Sequence, residues 1–153
     1  MVMNNGATIA KGIGSGFVAT IVLSAIMLVK QAMGLMPQLN PIQMITEMSG
    51  MGTLLVGWLT HFFIGTILWG VLYAWIDRSL PGPPWFRGAT FATGAWLLMM
   101  ILMMPMAGAG FFGLQMGMMA PVATLVMHWI YGAVLGAVYG AWARPERAQP
   151  VHA

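Results

Sequence analysis

Two apolar runs that each open on a histidine decide the fold of this chain: HFFIGTILWGVLYAW at residues 61–75 and HWIYGAVLGAVYGAW at residues 128–142. Each run carries a glycine four residues after its histidine, Gly65 and Gly132, and a tryptophan fourteen residues after it. Together with the apolar residues that precede it, each run is long enough to cross a bilayer as a helix. The matching positions indicate that the two halves of the chain are related.

The composition predicts a protein that lies in a lipid bilayer. Of its 153 residues, 59% are hydrophobic and 6% are charged, whereas a soluble domain carries about a quarter charged residues. The net charge is +3, but no basic cluster is interleaved with aromatic residues, so we expect no nucleic-acid partner. Cysteine is absent, which excludes disulfides, thiolate metal sites and a cysteine nucleophile.

Four stretches nearly free of charge predict an all-α integral membrane fold, with four transmembrane helices arranged as two related helical hairpins. We expect a single membrane domain, residues 1–153, with a short interfacial helix after the first span. That helix would begin at Pro41, with Asn40 as its cap, and end at Ser49. The predicted spans are about 13–36, 54–76, 89–107 and 121–143, followed by a tail at 144–153.

The basic residues predict the orientation of the spans. With four spans, the N-terminus, the middle linker and the C-terminal tail lie on one side of the membrane. That side carries five of the six Lys and Arg residues: Lys11, Arg78, Arg87, Arg144 and Arg147. The positive-inside rule then predicts a multi-pass protein of the bacterial inner membrane with both termini in the cytoplasm. Lys30 lies on the opposite side, and Asp77 is expected to form a solvated ion pair with Arg78 or Arg87.

The two intramembrane histidines predict a cofactor site, because an ionisable side chain inside a span is costly to keep. His61 and His128 each lie seven residues into a predicted span, about 10 Å below its outer edge. We predict that both rings face the interior and ligate a b-type haem, with Gly65 and Gly132 leaving room for the macrocycle. The chain would then be a redox or accessory subunit that is not itself catalytic.

The methionines predict an alternative, which is copper. Thirteen of the 17 fall on the predicted outer half: Met27, Met33, Met36, Met44, Met48, Met51, Met103, Met104, Met106, Met116, Met118, Met119 and Met127. Thioether sulfur is a soft ligand suited to Cu(I), and imidazole suits copper too. A metal site of His61, His128, Met103, Met104 and Met127 would serve periplasm-facing copper binding or delivery. Methionine is also a common apolar gap-filler.

A third interpretation needs no cofactor, since both histidines can be neutral core residues. Thr124 lies four residues before His128, which predicts a direct bond between their side chains. His61 would need a backbone carbonyl or a hydroxyl from another helix, such as Thr90, Thr93 or Tyr131. The chain would then be a structural subunit of a larger membrane complex or a homo-oligomeric pore. Its helix contacts would use glycines at intervals of four: Gly12, Gly16, Gly132, Gly136 and Gly140.

The two histidine runs also carry a resemblance to known proteins. With the four predicted spans, residues 61–75 and 128–142 resemble the small, uncharacterised four-span inner-membrane proteins of bacteria that are grouped as domains of unknown function. This resemblance implies a fold and a location. It implies no function and no site residue.

Overall fold

The computed structural model describes residues 5–143, which fold into helices and connecting loops without a strand in that range. Its five main helices are α1 (Asn5–Ala32), α2 (Pro41–Ser49), α3 (Leu54–Ser79), α4 (Pro84–Met106) and α5 (Met119–Ala143). A short 3-10 helix, Phe111–Met116, lies between α4 and α5. Of the five main helices, all except α2 are long and apolar enough to cross a membrane. The predicted all-helical class with four candidate spans is therefore confirmed. The predicted tail, 144–153, lies outside the described residues.

The helices depart from the bounds of the predicted spans most clearly at α1, which begins at Asn5, and at α4. α1 ends at Ala32 instead of near residue 36, and Gly34 follows in a left-handed turn with a φ of 66°. α4 begins at Pro84 instead of residue 89. Proline is well placed there, because the first turn of a helix needs no N–H from it. The last residues of the linker predicted between the second and third spans therefore belong to the helix.

The short helix α2 has the predicted bounds and packs against the beginning of α3. The Asn40 side chain accepts a hydrogen bond from the Gln43 N–H at 3.2 Å, which caps the helix. Thr46 is buried and donates to the Ile42 carbonyl at 2.8 Å. A Cβ on Gly57 of α3 would collide with Thr46, so the missing side chain allows the two helices to touch.

Glycines also bring the long helices into close contact, as their spacing predicts. In α1, Gly16 faces the backbone of α3, where a Cβ would lie 2.8 Å from the Gly65 carbonyl oxygen. In α5, Gly132 and Gly136 face Gly88 of α4 with no space for a side chain between them. Further close contacts join α1 to α3 through Gly12 and Gly70, and α5 to α4 through Gly140 and Pro84. The predicted use of these glycines in helix packing is confirmed.

The end of the bundle that carries the α3–α4 loop is held by aromatic rings and one ion pair. The Tyr73 ring lies 5.4 Å from both Phe91 of α4 and Tyr139 of α5, measured between centroids. The Tyr73 hydroxyl donates to Asp77 at 2.8 Å, and Arg87 lies 3.4 Å from the other carboxylate oxygen. The Asp77 side chain is 12% exposed, so the predicted pairing with Arg87 forms but is less solvated than expected.

At the other end of the bundle, Lys30 in the last turn of α1 binds the loop that follows this helix. Its ammonium donates to the carbonyl oxygens of Leu35, Met36 and Leu39 at 2.8–3.1 Å. These carbonyls belong to the loop between α1 and α2, where no helix supplies backbone partners. Lys30 therefore holds this loop in place by donating hydrogen bonds to its carbonyl groups.

Candidate functional site

A cavity of about 220 Å³ lies between the helices at the end of the bundle that carries α2. All five helices contribute to its wall, and both His61 of α3 and His128 of α5 line it. Apolar side chains make up most of the remaining wall. The structure thus brings the two predicted histidines to one cavity.

The His61 ring is held by a hydroxyl from a different helix. Its Nε2 lies 3.2 Å from the Ser24 Oγ of α1. The hydroxyls predicted for this role bond elsewhere: Thr93 accepts from Trp129, and Tyr131 donates to the Gly65 carbonyl. Thr90 makes no hydrogen bond to His61 within residues 5–143. The signal for Ser24 was a single hydroxyl in an otherwise apolar part of α1.

The His128 ring is held by its own helix. Its Nδ1 lies 2.8 Å from the Thr124 carbonyl oxygen. A carbonyl can only accept, so Nδ1 carries the proton, and in the neutral ring Nε2 keeps the lone pair. The predicted bond between the two side chains is wrong, because the Thr124 hydroxyl donates to the Ala120 carbonyl and accepts from Trp96 of α4.

Seven methionines line the same cavity as the two histidines. They are Met27, Met44, Met48, Met99, Met103, Met104 and Met127, drawn from α1, α2, α4 and α5. The three named from the sequence as metal ligands, Met103, Met104 and Met127, are among them. No cluster of three or more His, Cys, Asp or Glu occurs in the described part of the chain. The soft thioethers and the two imidazoles are therefore the metal-ligating groups that this cavity offers.

The two glycines predicted beside a haem have different surroundings. Gly65 lines the cavity, and its α-carbon also faces the Thr20 hydroxyl of α1. Gly132 is not among the lining residues. It is buried against Gly88 and Ala92 of α4, where a Cβ would not fit. The structure therefore gives Gly132 a role in helix packing.

Both α3 and α4 contain a π-helical turn at the level of the cavity. These turns run over Phe63–Leu68 and Met99–Met103, and each contributes residues to the wall. In α4, Pro105 has no N–H to donate to the preceding turn, which accounts for the change of hydrogen bonding there. In α3, the Gly65 carbonyl accepts a bond of 2.5 Å from the Tyr131 hydroxyl of α5. Such turns often accompany functional sites, and sequence reasoning did not identify either.

Comparison with known proteins places the chain in a family. A family model matches residues 6–149, nearly the whole chain. The chain belongs to DUF6789, a family of unknown function. No curated protein and no solved structure matches it. Membership of DUF6789 agrees with the predicted resemblance to an uncharacterised domain.

Proposed function

We propose that this DUF6789 protein binds Cu(I) between its spanning helices, in the cavity lined by His61 and His128. The observation that carries the proposal is that both imidazoles and seven thioethers line one cavity. Cu(I) is a soft ion for which thioether and imidazole are suitable ligands. The chain has no cysteine to supply the thiolates that other Cu(I) sites use.

The hydrogen bonds of the two rings support this proposal. A metal-binding histidine usually donates its second ring N–H to a neighbouring oxygen, which fixes the tautomer and the ring orientation. The Thr124 carbonyl holds Nδ1 of His128 and leaves Nε2 for a metal. With Nε2 of His61 donating to Ser24, Nδ1 of that ring is left. Each ring thus has one nitrogen that is fixed by a hydrogen bond and a second nitrogen that can bind a metal ion.

A b-type haem between the same histidines is the second candidate, and the presence of both rings on one cavity favours it. The volume of the cavity favours the smaller ligand. Pockets for drug-sized molecules measure about 300–1,000 Å³, and this cavity measures about 220 Å³. A haem would therefore need more space between the helices than a copper ion needs.

We also propose that the protein spans the bacterial inner membrane with both termini in the cytoplasm and the cavity toward the periplasm. Five of its six basic residues lie at one end of the predicted topology. The exposed Trp75 and Trp85 at that end suit the aromatic belt of a membrane interface. At the other end, α2 would lie in the interface, because it is short and has both apolar and polar residues.

Two related hairpins remain our proposal for the origin of the fold. Gly65 in α3 faces the preceding span α1, and Gly132 in α5 faces the preceding span α4. The same position of the repeat thus contacts the equivalent neighbour in each half. We further propose that the protein acts as a homo-oligomer or as a subunit of a larger membrane complex. The size and composition of the assembly purified in mild detergent distinguish these two states.

Copper binding is tested by anaerobic titration of the purified protein in detergent micelles against the Cu(I) chelator bicinchoninate. We expect one Cu(I) per chain in the wild type. His61→Ala and His128→Ala should each weaken binding by at least about 10–100-fold, the loss that follows even when an outer-shell partner is removed. Met118→Leu is the matched control, because Met118 is 78% exposed and does not line the cavity.

The absorption spectrum of the same samples separates the alternatives. A Soret band that either histidine substitution removes would support haem and overturn copper. Neither copper nor a Soret band, with a fixed stoichiometry in a co-purified assembly, would support a cofactor-free structural subunit.

A further inference from the structure

One of the seven methionines that line the cavity also reaches its surface. Of these seven, all within the described residues, Met48 alone is exposed, at 37% of its surface. Met27 and Met104 are buried, and the other lining methionines are half-buried. Met48 lies near the end of α2, and because it is both part of the wall and exposed, we take it to mark a mouth of the cavity.

A second thioether of the lining lies one helical turn before Met48 on α2. Met44 is four residues earlier on α2 and also lines the cavity. Residues four apart share a helix face, about 6 Å from each other along the axis. Outside the mouth, Met51 is 69% exposed in the turn that follows α2, and its N–H donates to the Ser49 hydroxyl at 3.3 Å. Thioethers thus occur outside, at and inside the mouth.

The charged residues of this region distinguish two possible entrances. Glu47 precedes Met48 on α2 and is exposed, and its carboxylate accepts a bond from the Gln43 amide at 2.9 Å. Lys30, in contrast, lines a second cavity of about 170 Å³ that shares Met27 and Pro41 with the first. A positive ion would meet an ammonium group on that side. The side of α2 that carries Met48 is therefore the better entrance for Cu(I).

We propose that Met48 is the transfer ligand through which Cu(I) enters and leaves the cavity, with Met44 as the next ligand inward. This inference rests on the proposed copper function and names its partner by chemistry: a carrier that presents Cu(I) on the α2 side. In each step a bond from copper to the carrier or to one thioether breaks as a bond to the next thioether forms. The ion remains Cu(I), so no electron or proton is transferred.

The test is the rate of Cu(I) transfer from its coloured bicinchoninate complex to the protein in micelles, measured anaerobically by stopped flow. Met48→Leu keeps the volume of the side chain and removes its sulfur. We expect transfer to slow by about tenfold or more, with a loss of equilibrium affinity that is smaller than this factor and smaller than the loss caused by His61→Ala or His128→Ala. Release to excess chelator should then slow as well. Met33→Leu is the control, because Met33 is 66% exposed and does not line the cavity.

The other outcomes each overturn the inference. Transfer at the wild-type rate in Met48→Leu would mean that copper enters elsewhere, with the binding site itself intact. A loss of affinity that accounts for the slower transfer would make Met48 a ligand of the bound state instead of a transfer ligand. A wild-type protein that binds no Cu(I) would overturn the proposed function and this inference together.

Discussion

At the scale of single residues, each of the two histidine rings has one hydrogen-bonded nitrogen, but the partners are of different kinds. His128 uses a carbonyl of its own helix, and His61 uses the Ser24 hydroxyl of a neighbouring helix. Only the second arrangement depends on tertiary packing. A change at Ser24 therefore tests whether hydrogen bonding prepares the ring for a metal.

Ser24→Ala should weaken Cu(I) binding by about 10–100-fold, because the ring loses the partner that fixes its tautomer and orientation. The chelator titration described above measures the change. Ser15→Ala is the control, since the Ser15 hydroxyl donates to carbonyls of its own helix and lies off the cavity. Tighter binding by Ser24→Ala would show that the hydroxyl competes with the metal for the ring.

The sequence predicted that His61 and His128 lie close to one shared space but not which groups hold their rings. Equal depths in two matching runs were enough to predict that His61 and His128 share a site. The partner of His61 could not be predicted, because it depends on which face of α1 turns toward α3. The surroundings of Gly132 were missed for the same reason, since its place in the repeat does not reveal that it faces α4.

At the scale of helices, stability depends on close contacts made possible by glycine. Gly88 of α4 lies against the backbone of α5, and a Cβ at this position would overlap the Gly132 carbonyl. Gly94, six residues later on the same helix, has open space around it. The two positions form a matched pair within one element.

Gly88→Ala should lower the free energy of unfolding in micelles by about 1–3 kcal/mol, the usual cost of overpacking. Gly94→Ala should leave it unchanged or raise it by up to about 1 kcal/mol, because alanine is the better helix former. Reversible denaturation followed by circular dichroism measures both values. Equal effects of the two substitutions would mean that the contact between α4 and α5 is not a close one.

The helices themselves were largely predictable from local signals, and their π turns were not. Charge-free runs predict the four long helices, and Asn40 followed by Pro41 predicts where α2 begins. In a π turn of α3, the Gly65 carbonyl accepts a hydrogen bond from the Tyr131 hydroxyl of α5. Because this donor is distant in sequence, no local pattern marks the turn. The start of α4 was predicted too late because Pro84 was interpreted as part of a loop instead of a first helical turn.

At the scale of the whole molecule, copper binding from the periplasm requires one orientation of the protein in the membrane. The chain contains no cysteine, so a single introduced cysteine reports the side on which it lies. Met33 and Trp85 are both exposed and lie at opposite ends of the bundle. They are suitable positions for labelling with a maleimide that does not cross membranes.

In intact spheroplasts of an expressing bacterium, Met33→Cys should react with the maleimide at once. Trp85→Cys should react only after the membrane is permeabilised, because the positive-inside rule predicts a cytoplasmic position for it. The cysteine-free wild type is the blank. The reverse pattern of labelling would turn the cavity toward the cytoplasm and contradict the proposed periplasmic role.

The central claim is that one metal site joins imidazole and thioether ligands from different helices. X-ray absorption at the copper edge of the Cu(I)-loaded protein tests it most directly, because the scattering of nitrogen differs from that of sulfur. We predict a first shell that contains both imidazole nitrogen and thioether sulfur, with the imidazole contribution reduced in His61→Ala and in His128→Ala. A shell without imidazole nitrogen, or a protein that retains no copper, would contradict the account.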